Sequence, residues 1–123
     1  MIQFHPVWAS KLTPKQKNEL LHAAEQLPHS SSQYSAVLFR GKYKKNGGLV
    51  ATVFLRNEMS QSLDIQKIKV EILEEHTVIA KGIFSPNIRI NSASVYPWSF
   101  VFSPEMVFQS HSNPQNWHVY IDM

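Results

Sequence analysis

Apolar residues recur along this chain with two different periods, and the change from one to the other divides it. Leu20, Ala24 and Leu27 are spaced four and three apart, with Leu21 beside them, which sets them on one side of a helix. Thr13-Pro14-Lys15-Gln16 stands just before them. It offers a hydroxyl N-cap, a proline at the first helical position and a glutamine that can close a capping box. Pro28 stops the run, because proline disfavours helical geometry in the residue before it. The pattern predicts one amphipathic helix over about 14–27, too short to persist unless it packs on something.

After a polar connection at 29–32 the period becomes two. Over 34–43, Val37, Phe39 and Tyr43 fall on one face, and Leu38, Arg40, Lys42 and Lys44 on the other. Asn46-Gly47-Gly48 supplies residues that tolerate positive φ and predicts a hairpin turn. The run 49–57 is apolar on both faces, as expected of a central strand covered on both sides, with the helix on one of them. Residues 58–62 read as a loop, and Ile68, Val70 and Ile72 alternate with charged residues as in a half-exposed strand. A turn over 74–77 leads into 78–84, Pro86-Asn87 interrupts, and Ile88-Arg89-Ile90 follows. After a turn at 91–94, Trp98, Phe100 and Phe102 share one face of a strand over 96–102. Ser103-Pro104-Glu105 opens a single helical turn, 109–116 is polar and loop-like, and Trp117, Val119 and Ile121 mark a last strand. Six or seven short strands with turn signals between them predict a mainly β fold. The expected architecture is an immunoglobulin-like antiparallel β-sandwich, with a small barrel as the alternative, and neighbouring strands pair as hairpins.

At 123 residues the chain fits one domain, 1–123, with an arm and helix over 1–28 and the sandwich over 34–122. Three Trp, four Tyr and seven Phe give enough large side chains for a core without staples, and there is no cysteine to form one. The opening Met1-Ile2-Gln3-Phe4-His5-Pro6 has no basic region leading into an apolar stretch, and no apolar run approaches the roughly 20 residues of a membrane span. The expectation is a cytoplasmic protein that meets a membrane only through a partner. Net charge is +3, and basic residues are densest at Arg40, Lys42, Lys44 and Lys45, with Tyr43 among them to stack. That segment is a candidate patch for nucleic acid or an anionic surface. The favoured reading is a solvated edge strand whose lysines discourage edge-to-edge pairing.

Chemistry is sparse. None of the six histidines stands in a His-x-x-x-His or His-x-His arrangement, no serine sits in a Gly-x-Ser-x-Gly elbow, and Gly47-Gly48 lacks the residues of a phosphate loop. Glu74-Glu75-His76 falls in a turn and reads as a solvated group, since acid-base chemistry there would need burial. No catalytic residue, metal ligand or cofactor is therefore expected, and an enzyme is the last alternative, one that would need a deep pocket gathering His118, Glu105 or another carboxylate. Three residues are candidates for contact with a protein partner: Trp8, on a non-regular segment before the helix, and Arg56 and Asn57, at the end of the central strand. Trp and Arg dominate protein hot spots, and Arg can grip a carboxylate with two hydrogen bonds. The plainer readings are that Trp8 pins the arm to the sheet, Arg56 pairs at the rim and Asn57 satisfies a turn. Trp98 and Trp117 are expected in the core.

Phe4-His5-Pro6-Val7-Trp8 with Leu12-Thr13, then the strand from Gly48 to Asn57, Ala80-Lys81-Gly82-Ile83-Phe84, Tyr96-Pro97-Trp98-Ser99-Phe100-Val101-Phe102 and the late Trp117 together resemble the SLAP domain. The resemblance spans nearly the whole chain and rests on the order of the pieces. It implies the family's setting in Bacillus-type Gram-positive bacteria, where such domains are named for surface-layer assembly proteins tied to an accessory Sec export pathway. It implies a protein-interaction role near secretion or the envelope and brings no catalytic residues. Binding is expected at an open sheet edge, either 34–45 or 117–122, and homodimerisation could use the same edge.

Overall fold

A computed structural model describes residues 2–27 and 33–123, so Met1, Pro28 and the connection at 29–32 lie outside the described residues. Two helices open the chain, α1 (Pro6–Lys11) and α2 (Pro14–Glu25). The predicted capping box is complete. Gln16 N–H donates to Thr13 Oγ1 at 3.1 Å, and Thr13 N–H donates to Gln16 Oε1 at 2.9 Å. Gln26 is the C-cap of α2, close to the expected end. Thr13→Ala should cost about 1 kcal/mol, a fall in Tm of about 4 °C, with the added exchange confined to the first turn of α2. α1 was not foreseen, since six residues are too few to show a period. Its start is fixed locally by Pro6 and by the His5 imidazole, whose Nδ1 accepts the Val7 N–H at 3.1 Å.

Among the described residues eight strands follow: β1 (Tyr34–Tyr43), β2 (Leu49–Asn57), β3 (Leu63–Ile65), β4 (Ile68–Glu74), β5 (Thr77–Phe84), β6 (Ile88–Ile90), β7 (Ser94–Phe102) and β8 (Trp117–Asp122). They form two three-stranded antiparallel sheets, ordered β1-β2-β7 and β5-β4-β8, and a small β3-β6 ribbon. β2 is central, as its two apolar faces require. The hairpins β1-β2 and β4-β5 are those the turn residues specify, and Gly47 takes φ 90° in the first turn. One apolar cluster joins the two sheets, with Leu49, Val53 and Phe100 from the first and Val70, Ile72 and Trp117 from the second. In chain order, β1, β2, β7 and β5, β4, β8 follow the A-B-E and C′-C-F orders of immunoglobulin-like sandwiches.

One sequence-based face assignment is corrected. The β1–β2 register shifts between Leu38 and Arg40, which makes Phe39 an extra, bulged residue. Leu38 lies opposite Val53 and Tyr43 opposite Leu49, both on the inner face, while Val37 lies opposite Phe54 on the outer one. Phe39 meets the Phe54 ring edge-on at 5.4 Å, so Val37 and Phe39 do not share a face with Tyr43. Phe54 and Leu20 are the buried apolar residues outside the inter-sheet cluster among those described. Phe54 is 1 % exposed although it faces outward, and the Phe39 ring is part of what covers it.

Candidate interaction site

A two-sheet sandwich has four outer strands, and the chain treats them unequally. Along β7, Ile2 forms a parallel bridge to Val95 and Gln3 N–H donates to the Val95 carbonyl at 2.8 Å. The Gln3 side chain adds bonds to Arg89 O and from Asn91 N–H at 3.0 and 2.8 Å. Along β5, Val107 bridges Ala80 and Phe108 N–H donates to Ile79 O at 2.8 Å. The outer sides of β1 and β8 have no such cover, and no backbone ladder joins them among the described residues. They nevertheless run beside each other, with Cα atoms within 8 Å. Residues 38–41 face 113–117, and 33–36 face 119–121, across two depressions of about 480 and 520 Å³.

Trp117 seals the seam between the two edges. It is 4 % exposed, and its indole lies so near Gly41 that a Cβ there would sit 2.5 Å from the ring. The Tyr43 ring stands perpendicular to it at 5.2 Å, and its Nε1–H donates to Ser112 Oγ at 2.9 Å. The Tyr43 hydroxyl is 2.6 Å from both Gln109 O and Ser112 Oγ. Tyr43 therefore faces inward and is held there, which corrects the expectation that it could stack on a base. Arg40, Lys42, Lys44 and Lys45 are exposed, with the Arg40 guanidinium over the Phe39 ring.

The three candidate contact residues have different surroundings. Trp8 is half-buried and stacks on Trp98 at 6.3 Å with an 11° tilt, while His5 meets the same indole at 5.4 Å. The arm is thus pinned over β7. Trp8→Ala should lower stability by about 2 kcal/mol, and residues 2–12 should become the first site of proteolysis. Arg56 is buried at 7 %, with Nε donating to Ser35 Oγ at 3.2 Å and forming an ion pair with the Glu58 carboxylate at 4.0 Å. Asn57, at 1 % exposure, donates from Nδ2 to the carbonyls of Gln61, Ile90 and Asn91 and accepts the Met59 N–H. It works inside the fold, tying the loop after β2 to the end of β6, and any effect on a partner would pass through that loop. Sequence reasoning had no signal for this, because its acceptors come from two places far apart along the chain, Gln61 and the consecutive Ile90 and Asn91.

Ionisable groups sit on the periphery. Arg89 holds Asp64 with hydrogen bonds of 2.7 and 3.2 Å, which lowers the pKa of that carboxyl. A depressed carboxylate pKa stabilises the fold above the ordinary carboxylate range, and that contribution is lost as pH falls through the folded value. The Ser103 hydroxyl at 2.6 Å lowers Glu105 in the same direction, while burial raises Tyr96. His22, His76, His111 and His118 are exposed, and His29 lies outside the described residues. Among the described residues, no three metal-ligating side chains converge and no helix is long and apolar enough to cross a membrane.

The fold and its edges define a mainly β, antiparallel two-sheet module with a helical N-terminal arm. The model of the family described as the SLAP domain matches residues 2–123, and the chain belongs to that family. Searches of curated proteins and of solved structures each returned no match. Membership makes a surface-layer-associated module the coarse functional class.

Proposed function

We propose that this SLAP domain is a non-enzymatic protein-interaction module serving export or envelope assembly, and that it binds by strand addition at the β1 and β8 edges. One observation carries the reading. Among the described residues, the chain covers two of its four outer strands with its own segments and leaves the other two uncovered and adjacent. Natural sheets shield their edges, since unpaired N–H and C=O groups recruit other strands. An extended segment that pairs with such an edge gains affinity from the backbone and specificity from alternate side chains. A second copy could use the same edges. The module acts in the cytoplasm in this reading and meets the membrane through its partner. Nucleic-acid or anionic-surface binding through Arg40, Lys42, Lys44 and Lys45 is the rival, and the inward Tyr43 deprives it of a stacking platform.

Affinity capture of the tagged protein from a lysate of its source, followed by hydrogen exchange on the complex, tests this. The expected result is an export or envelope protein that slows exchange at 34–43 and 117–122. Recovery of nucleic acid released by moderate salt, or protection only elsewhere, would overturn it.

A further inference from the structure

The turn joining β1 to β2 brings an electrophile and a nucleophile of the chain's own together. Lys44 N–H donates to Gly48 O at 2.8 Å and Gly47 N–H to Lys44 O at 3.1 Å, which closes a short loop over Lys45, Asn46 and Gly47. Gly47 takes the left-handed φ of 90° that such loops favour. Asn46 is exposed at the tip while Gly48 is buried, and the Gly48 N–H donates to Asn46 Oδ1 at 2.9 Å. That bond folds the side chain back along its own backbone. Inside the ring it closes lie Cγ, Cβ, Cα and the carbonyl carbon of Asn46 and the nitrogen of Gly47, the five ring atoms of a succinimide. Of the chain's seven asparagines, Asn46 is the one followed by glycine, so no Cβ crowds the attacking nitrogen.

We infer that Asn46 is a modification site, which deamidates in the folded protein with water as the reactant. Solvent hydroxide takes the Gly47 amide proton, and that nitrogen attacks Asn46 Cγ. The charge that develops on Oδ1 falls on the bond from Gly48 N–H, a donor already in place. Exposed Lys44 and Lys45 favour both the hydroxide and the oxyanion. The Cγ–Nδ2 bond breaks and ammonia leaves. Water then opens the succinimide at Cγ to give aspartate, or at the backbone carbonyl carbon to give isoaspartate. In isoaspartate the chain runs through the side chain and gains a methylene. The brake is the bond from Gly47 N–H to Lys44 O, which opens for the proton to leave. It lies at the tip of a hairpin, where local opening is easiest.

Either product replaces an amide by a carboxylate, and the net charge of +3 falls by one. The new carboxylate stands in the depression lined by Lys42, Lys44, Lys45 and Val50, on a hairpin that holds no Asp or Glu from 34 to 57. The basic segment therefore loses charge as the protein ages. Isoaspartate also lengthens a loop whose size the Lys44–Gly48 pair sets.

Storage of the purified full chain at mildly alkaline pH, followed by peptide mapping with electron-transfer fragmentation, tests this. A urea-unfolded sample run in parallel reads the same chemistry without the turn. The expected result is aspartate and isoaspartate at position 46 of the folded chain, ahead of every other asparagine. A variant with one positive charge fewer should appear with them on cation exchange. Asn46→Gln should not form that variant, because its ring would need a sixth atom. Conversion of Asn46 in the unfolded sample alone would show that the Lys44 bond protects the site, and would overturn the inference. Earlier conversion at another asparagine of the folded chain, or an acidic variant that persists in Asn46→Gln, would overturn it too.

Discussion

Asn57→Ala should lower stability by about 3–4 kcal/mol, a drop in Tm of about 15 °C. The side chain is almost wholly buried and makes four hydrogen bonds to backbone groups. Alanine leaves the carbonyls of Gln61, Ile90 and Asn91 and the Met59 N–H to find water or lose it, and each group that stays buried and unpaired costs about 1–3 kcal/mol. Asn57→Asp should be worse despite its shape. It keeps the acceptor for Met59 but turns a negative oxygen toward three carbonyls, so it unfolds or folds with a raised carboxyl pKa. Thermal denaturation of both variants checks this. An alanine variant within about 0.5 kcal/mol of the parent would show that the loop after β2 does not depend on the clamp.

The seam at Gly41 and Trp117 gives the second large effect. Trp117→Ala removes a buried indole and should cost about 3–5 kcal/mol. Gly41→Ala adds a single methyl, yet places it against a ring fixed by Tyr43 and by the bond to Ser112, at an expected cost of about 1–3 kcal/mol. The two are coupled. In a Trp117→Leu background the methyl meets no ring, so Gly41→Ala should cost at least about 1 kcal/mol less there. Urea denaturation of the four proteins of that cycle measures the coupling. Strict additivity would mean the β1–β8 seam is looser than the packing of Trp117 implies.

What could be read from the chain beforehand followed from local chemistry. Thr13 and Gln16 fix a helix start by bonding each other, Asn46-Gly47-Gly48 fixes a turn by its φ tolerance, and an unbroken apolar run places β2 in the middle of a sheet. What escaped depended on pairings between distant residues. The bulge at Phe39 changes one register step and moves Tyr43 to the other side of the sheet, and alternation alone carries no sign of it. β3 is three residues long and exists because β6 pairs with it. The bridges at Ile2 and Val107, which settle which edges are covered, are single contacts with no periodicity. The basic run was visible as a run.

The covering of β7 by Ile2 and Gln3 also sets where attached sequence would emerge. A peptide fused before residue 2 leaves the molecule at a sheet edge already in use, away from the β1–β8 groove. A peptide fused after Met123 leaves from the end of β8 and is tethered beside the groove at a high effective concentration. An extended epitope tag on the C-terminus would therefore act as an intramolecular competitor for any strand-like ligand, and the same tag on the N-terminus would not.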